Sequence, residues 1–227
     1  NNVVSGLVNG MDVGIDVYTW GNGKTSTGVT VKGNTIYNAD LPLAAEAYYT
    51  SSVTNVVFEY NKVTAYKDAF YAGASTDYPG GTVTDVNASN NWWGSQIGPQ
   101  GSVVGNPQIT PWCANEGCTE FAPDANGKIE VSGDVSQVGG LEVNIPNLTI
   151  HLAGNTVIEN SSPCFIINAS YTTILAEPGA KCVPTNGSNG IDVADGLTNI
   201  IVKGLEIDGT EQETSPIPRS ATSSRRP

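Results

Sequence analysis

Two carboxylates in the first third of the chain have the residue type and spacing needed for acid-base chemistry on sugars. Three segments, GIDV, EAYY and DAFY, align as neighbouring strands that begin at Gly14, Glu46 and Asp68. Glu46 then lies beside Asp68 on an outward face, since adjacent strands are about 4.8 Å apart. Such a pair raises the pKa of one member and can supply the acid and the nucleophile of glycoside hydrolysis. The alternative is a solvated acidic face, with Lys67 neutralising Asp68.

Aromatic residues of the same segments suit contact with a sugar chain. The alignment places Asp16, Tyr48 and Phe70 in one outward column, and Trp20 follows the first segment. Aromatic side chains combine a large apolar surface with, in Tyr and Trp, a polar group. We therefore predict that these four residues are substrate contacts beside the candidate catalytic pair.

The sequence contains no other complete catalytic or metal-binding pattern. His151 is the single histidine, and its place between Ile150 and Leu152 directs it outward, without partners for a Ser-His-Asp triad. Nucleotide-binding glycine motifs and the H-E-x-x-H zinc motif are absent. We predict no metal ligands, and calcium is the one cofactor left open, with three candidate loop carboxylates: Asp192, Asp195 and Asp208.

The four cysteines form two local pairs. No histidine lies near either pair to complete a zinc site, so we predict the disulfides Cys113–Cys118 and Cys164–Cys182. Four free buried thiols are the alternative. Disulfides persist in oxidising compartments, so the two pairs favour a secreted or cell-surface protein.

A repeated apolar pattern identifies the elements that position these residues. The pattern recurs after 27 residues, from Val29 to Val56, and after 30 more, at Val86. Its members in the first half are Val29, Val31, Asn34, Ile36; Val56, Phe58, Asn61, Val63; and Val86, Ala88, Asn91, Trp93. The second half repeats it as Ile150, Leu152, Asn155, Val157; Ile174, Ala176, Gly179; and Ile200, Val202, Leu205, Ile207. A fixed period of about 25 residues with turns of Asn and Gly indicates a solenoid of stacked coils.

Two further regularities support stacked coils. The recurring residues Asn34, Asn61, Asn91 and Asn155 predict an internal asparagine ladder, because Asn tolerates a left-handed backbone and bonds the backbone through its side chain. Chance in an Asn-rich chain is the alternative. Short strands also precede the second-half pattern at Leu141 and Val143, Phe165 and Ile167, and Ile191 and Val193.

Two segments carry a resemblance to a known superfamily. GVTVKGNTIYN, from Gly28 to Asn38, and NASNNWWGSQIGP, from Asn87 to Pro99, resemble the right-handed parallel β-helix repeat proteins, which include pectate-lyase-like enzymes. The resemblance implies an all-β, right-handed parallel β-helix with a carboxyl-terminal cap over Asn90 to Pro99. A pectate lyase of this type would have clustered Asp residues with an Arg or Lys base, and a polygalacturonase would have a paired Asp-Asp. Neither pattern occurs in this sequence.

The resemblance also implies the end of one β-helix followed by the start of another. We expect residues 1–118 to form the last coils and cap of a first helix, 119–128 a linker, and 129–214 the opening coils of a second. Residues 215–227 are expected to be a disordered or vector-derived tail. Open β-helix ends carry unpaired strand edges, so self-association, or docking of the two halves into one longer helix, is expected.

Composition narrows the partners. The chain has ten Lys and Arg residues and 22 Asp and Glu residues, which gives a formal net charge of -12. Nucleic acid is therefore not an expected partner. No apolar run approaches the roughly 20 residues that membrane insertion requires. Three functions remain open: an extracellular or cell-surface module that is structural or binds a polysaccharide or other glycan, a glycoside hydrolase or polysaccharide lyase that uses the carboxylate pair, and an adhesin or assembly module.

Overall fold

The computed structural model describes residues 2–7, 13–136, 140–160, 163–184 and 188–209. Within these ranges all regular elements are β-strands and no residue is helical. Parallel strands of successive turns pair side by side, so the chain forms a β-solenoid of about seven turns. The all-β, parallel β-helix class predicted from the repeat is therefore confirmed. The tail predicted for residues 215–227 lies outside the described residues.

Three parallel sheets build the first half. One sheet contains β1, β4 and β7, the second contains β2, β5, β8 and β10, and the third contains β3, β6 and β9. Their bounds are β1 Val3–Leu7, β2 Val13–Thr19, β3 Thr25–Lys32, β4 Thr35–Ala39, β5 Leu41–Ala47, β6 Ser52–Glu59, β7 Lys62–Tyr66, β8 Phe70–Ala74, β9 Thr82–Asn87 and β10 Val103–Val104. Side chains alternate along each strand, so every second residue points into the interior between the sheets.

The apolar pattern of the first half forms this interior in the predicted register. Val29 is opposite Val56, which is opposite Val86, and Val31 is opposite Phe58. Phe58 is fully buried and packs edge-on against Phe70, with the two ring centroids 5.1 Å apart. The intervals of 27 and 30 residues read from the sequence are the true lengths of these two coils.

The predicted asparagine ladder is confirmed in the first half. The Oδ1 atom of Asn61 accepts hydrogen bonds from the backbone N–H and the Nδ2 of Asn34, both at 3.0 Å. Asn91 Oδ1 accepts the equivalent pair from Asn61 at 2.9 and 3.0 Å. Asn2 extends the ladder, since its backbone N–H and Nδ2 donate to Asn34 Oδ1 at 3.0 and 3.1 Å. The ladder thus connects four successive coils.

Two details of the ladder prediction are wrong. The left-handed residue is the one before each ladder asparagine: Gly33, Tyr60 and Asn90 have φ values of 68°, 54° and 57°. In the second half, Asn155 is exposed, and Thr156 takes the inward place, where its hydroxyl donates to the Val131 carbonyl at 3.0 Å. A one-residue difference in the turn exchanges the inward and outward positions.

The connection between the two halves is the one antiparallel pairing among the described strands. It joins β11 (Trp112–Cys113) to β12 (Phe121–Ala122), and the Cys113–Cys118 disulfide closes the turn between them. Trp93 and Trp112 are fully buried beside it. No described strand ladder passes from one half to the other, yet the buried residues of both halves form one continuous core. The predicted domain boundaries remain predictions.

The second half also contains three parallel sheets. They are β13, β16, β19, β22; β14, β17, β20, β23; and β15, β18, β21. Their bounds are β13 Lys128–Val131, β14 Asp134–Ser136, β15 Leu141–Val143, β16 Thr149–Leu152, β17 Val157–Asn160, β18 Phe165–Ile167, β19 Thr173–Ala176, β20 Lys181–Pro184, β21 Ile191–Val193, β22 Ile201–Lys203 and β23 Glu206–Ile207. The predicted short strands β15, β18 and β21 stack in the expected register, with Leu141 opposite Phe165 and Phe165 opposite Ile191.

One predicted register of the second half is wrong. Ile174 is opposite Val202, whereas the sequence pattern aligned it with Ile200. The last coil is therefore two residues longer than predicted. The second predicted disulfide, Cys164–Cys182, is confirmed, and both of its residues are fully buried.

Candidate functional site

The candidate site lies on the outer face of β2, β5 and β8. Ile15 is opposite Leu43, and Leu43 is opposite Phe70, and all three point into the core. The predicted outward position of Phe70 is therefore wrong, because its ring fills the core against Phe58. The outer face at this level consists of Asp16, Ala44 and Tyr71, and the predicted alignment of GIDV, EAYY and DAFY is replaced by this register.

Glu46 and Asp68 are not cross-strand neighbours as predicted. Glu46 is opposite Gly73, while the Asp68 backbone N–H donates to the Asp40 carbonyl at 2.9 Å, before β8 begins. Asp68 precedes Gly73 by five residues. At about 3.3 Å per residue, the backbone positions of the two acids are therefore about 16 Å apart along the strand direction. The predicted offset, from Glu46 to Asp68, was 22 residues, whereas the true offset from Leu43 to Phe70 is 27. The asparagine ladder has the same interval of 27 residues, and this signal could have corrected the alignment.

Asp16, which stays a predicted substrate contact, is also the carboxyl group nearest in register to Glu46. Glu46 is opposite Tyr18, so Asp16 is its diagonal neighbour on the outer face. Asp16 Oδ1 is buried and has no hydrogen-bond partner. Burial, and then the charge of Glu46, raise the pKa of Asp16 to about 7. Between about pH 4 and 7, where an exposed Asp is ionised, this carboxyl group therefore holds a proton.

Tyr48 orients the Glu46 carboxylate. Its hydroxyl donates to Glu46 Oε2 at 2.7 Å. Burial, followed by this hydrogen bond and the charge of Glu46, raises the pKa of the Tyr48 phenol, which therefore remains a donor. Tyr48 was predicted to lie on the outer face, and the structure places it there beside Glu46.

Two small residues, Ala44 and Gly73, lie among the larger side chains of this face. Ala44, opposite Asp16 and Tyr71 in the strand register, is fully buried. Gly73 lies beneath the Tyr71 ring, since a Cβ atom at Gly73 would be 3.1 Å from the Tyr71 hydroxyl oxygen. That hydroxyl donates to the Ala74 carbonyl at 2.5 Å, which holds the ring along the strand.

Five aromatic side chains form a contiguous group at the end of these strands, and we call it the aromatic surface: Tyr18, Trp20, Tyr48, Tyr49 and Tyr78. The Trp20 ring centroid is 4.9 Å from those of Tyr48 and Tyr78 and 5.2 Å from that of Tyr49. Tyr18 and Trp20 are 57% and 52% exposed. Trp20 thus lies at the centre of an exposed aromatic group, and Tyr49 is a member that the sequence analysis did not identify.

A cavity of about 400 Å³ adjoins the aromatic surface, and we call it the acidic cleft. Tyr48 belongs to both. The charged residues in the lining of the cleft are Asp40, Glu46, Lys67, Asp68 and Asp77. The predicted pair Glu46 and Asp68 therefore shares one cleft, although the two side chains occupy different positions along it. Asp68 Oδ1 accepts a hydrogen bond from the Ser102 hydroxyl at 2.5 Å.

In the second half, His151 has partners that the sequence did not predict. Its Nδ1 is 2.6 Å from Glu130 Oε2, and its Nε2 is 3.6 Å from Glu177 Oε1. Glu130 is opposite His151 in the adjacent coil, so the contact follows from the strand register. Over the described residues, no group of three or more His, Cys, Asp or Glu side chains is arranged for metal binding. Calcium at Asp192, Asp195 and Asp208 remains a prediction.

Comparison with known proteins identifies no relative: no protein-family model, curated protein or solved structure matches this chain. The structure therefore supports the parallel β-solenoid fold and no particular superfamily. The described part of the chain has no helix with the length and hydrophobicity of a membrane-spanning helix. The two disulfides point to a compartment outside the reducing cytoplasm.

Proposed function

We propose that this chain is a carbohydrate-binding β-solenoid module of a secreted or cell-surface protein. The observation that supports this proposal most directly is the aromatic surface beside the acidic cleft. Coils repeat at about 4.8 Å, so the side chains of successive coils form rows along the solenoid. A row of aromatic rings next to hydrogen-bonding carboxylates matches an extended chain of sugar rings, which presents both apolar faces and hydroxyl groups.

The exposure of this group favours a binding role over a purely structural one. Scattered surface aromatics are normal, whereas a contiguous exposed group indicates an interaction site. Trp20, at its centre, is 52% exposed although it contacts three other rings. The Tyr48 hydroxyl donates to Glu46 and can still accept a hydrogen bond from a polar ligand.

Isothermal titration with a panel of oligosaccharides tests the proposal. We expect Trp20→Ala to weaken binding by about tenfold or more, because aromatic residues dominate contact energies. Tyr78→Ala should weaken it too. Tyr37→Ala is the matched control: Tyr37 and Tyr78 are both 39% exposed, but Tyr37 lies on β4, outside the aromatic surface. Equal losses for Tyr37→Ala and Tyr78→Ala, or no binding of any oligosaccharide to the folded protein, would overturn the proposal.

A second candidate function is glycoside hydrolysis by Asp16 and Glu46. It is favoured by the pKa of Asp16, raised to about 7 by burial and by Glu46. A protonated carboxyl group can protonate the glycosidic oxygen, while a neighbouring carboxylate attacks the anomeric carbon or activates water. Turnover of chromogenic glycosides, lost in both Asp16→Asn and Glu46→Gln while binding persists, would support it. Binding without turnover of any glycoside in the panel would contradict hydrolysis and support the binding module.

A further inference from the structure

We infer that the ligand of this face is a glycan with free amino groups, a polymer of cationic amino sugars rather than a neutral or acidic polysaccharide. The inference rests on the proposed function and specifies its ligand. It starts from the charge of the acidic cleft, whose lining contains four carboxylates and one ammonium group, from Lys67. Asp16 adds a further carboxyl group diagonal to Glu46.

The hydrogen bonds of two of these carboxylates, Glu46 and Asp68, leave their charges in place. Glu46 accepts from the Tyr48 hydroxyl, and Asp68 accepts from the Ser102 hydroxyl. Both donors are neutral, so they orient the carboxylates without neutralising them. A ligand ammonium group would place a positive charge beside these two carboxylates, and hydrogen bonds between charged groups are the stronger ones.

The aromatic surface attracts the same kind of ligand. A cation over the face of a Trp or Tyr ring is attracted by the negative potential of that face. Tyr48 belongs to both the aromatic surface and the cleft lining, so an amino sugar bound there reaches rings and carboxylates together. Polyuronates carry the opposite charge and would be repelled by the cleft and by the net charge of -12.

Asp16 provides an additional signature. Its pKa is raised to about 7 by burial and by Glu46, so near neutral pH it is partly protonated in the free protein. A bound ammonium group favours the ionised form, so binding should release a proton. Titrations in buffers of different ionisation enthalpy measure this release.

The test compares three hexasaccharides of equal length, made of glucosamine, N-acetylglucosamine and galacturonic acid, at pH 6, where the first is largely cationic. We expect the glucosamine hexamer to bind about tenfold more tightly than the N-acetylated one, with the advantage mostly lost in about 1 M salt. Glu46→Gln and Asp77→Asn should each reduce that preference. Glu159→Gln, which removes the same charge from the second half, is the control and should leave it unchanged.

The outcomes separate this inference from the proposed function. Equal binding of the glucosamine and N-acetylglucosamine hexamers, or tighter binding of galacturonate, would overturn the inference and leave a carbohydrate-binding module. Binding of none of the three, nor of any neutral oligosaccharide, would overturn the proposed function itself.

Discussion

The Gln100 side chain pairs with the backbone of Glu142 as a neighbouring strand would. Gln100 Oε1 accepts the Glu142 N–H at 2.6 Å, and Gln100 Nε2 donates to the Glu142 carbonyl at 3.2 Å. The Glu142 carboxylate in turn accepts the Gly101 N–H at 2.8 Å. Asn144 Nδ2 adds a bond to the Gly101 carbonyl at 2.7 Å. Side-chain hydrogen bonds thus join the two halves at the junction where their strand ladders stop.

Gln100→Ala should therefore destabilise the junction. It leaves two backbone groups of Glu142 without these partners, at a cost of about 1–3 kcal/mol in the free energy of unfolding. Urea unfolding monitored by tryptophan fluorescence measures the change, because Trp112 lies buried near the junction. Gln108→Ala is the matched control, since Gln108 is exposed and bonds only to the nearby Thr110 carbonyl among side-chain contacts. Equal effects of the two substitutions would contradict the role of Gln100.

Asn61→Ala should cost more, because Asn61 lies in the middle of the buried ladder. Its Oδ1 accepts two hydrogen bonds from Asn34, and its Nδ2 donates to Asn91 Oδ1 and to the Val31 carbonyl, both at 3.0 Å. Several buried polar groups lose a partner, at about 1–3 kcal/mol each, so we expect a loss of about 3 kcal/mol or more.

Thermal and urea unfolding measure this loss, and Asn155→Ala provides its control. Asn155 is the exposed residue that the sequence pattern had placed in the ladder, and its removal should change stability by less than about 0.5 kcal/mol. A larger loss of stability for Asn155→Ala than for Asn61→Ala would support the sequence-based assignment of Asn155 to the ladder.

The sequence predicts the coils well and their registers less well. Alternation shows that every second residue points inward, but the turn length decides which set does so, and a one-residue slip exchanges the faces. In DAFY either alternation places an apolar residue inside, and Phe70 occupies the interior because its ring fills the space beside Phe58 and Trp93. The Gln100–Glu142 pairing has no periodic signal, since Gln100 lies outside the repeat and its partner is 42 positions away.

Gly73→Ala should alter the candidate site without unfolding the protein. The new Cβ would lie 3.1 Å from the Tyr71 hydroxyl oxygen, so the ring must move and its bond to the Ala74 carbonyl weakens. Because the displaced group is the far end of a partly exposed side chain, we expect a cost in unfolding free energy of about 1 kcal/mol. Oligosaccharide binding should fall by several fold.

Gly117→Ala is the control for this substitution, because its nearest neighbouring atoms would be 3.7 and 3.8 Å from the added Cβ. Titration calorimetry and urea unfolding of the two variants give both quantities. Unchanged binding in a folded Gly73→Ala protein would show that Tyr71 does not contact the ligand.

Asp16→Asn should remove a pH dependence of stability. The folded protein holds a proton on Asp16 up to a pKa of about 7, whereas the ordinary pKa of an Asp side chain is 3.8. Between these values the folded state binds more protons than the unfolded state, so the wild type loses stability as pH rises from about 4 to 7. Solvent screening at this partly exposed site limits the loss to the order of 1 kcal/mol.

The neutral amide of Asn does not ionise, so Asp16→Asn should gain stability relative to wild type as pH rises. Urea unfolding at pH 4.5, 6 and 8 measures the difference between the two proteins, and a constant difference at all three values would contradict a buried, protonated Asp16.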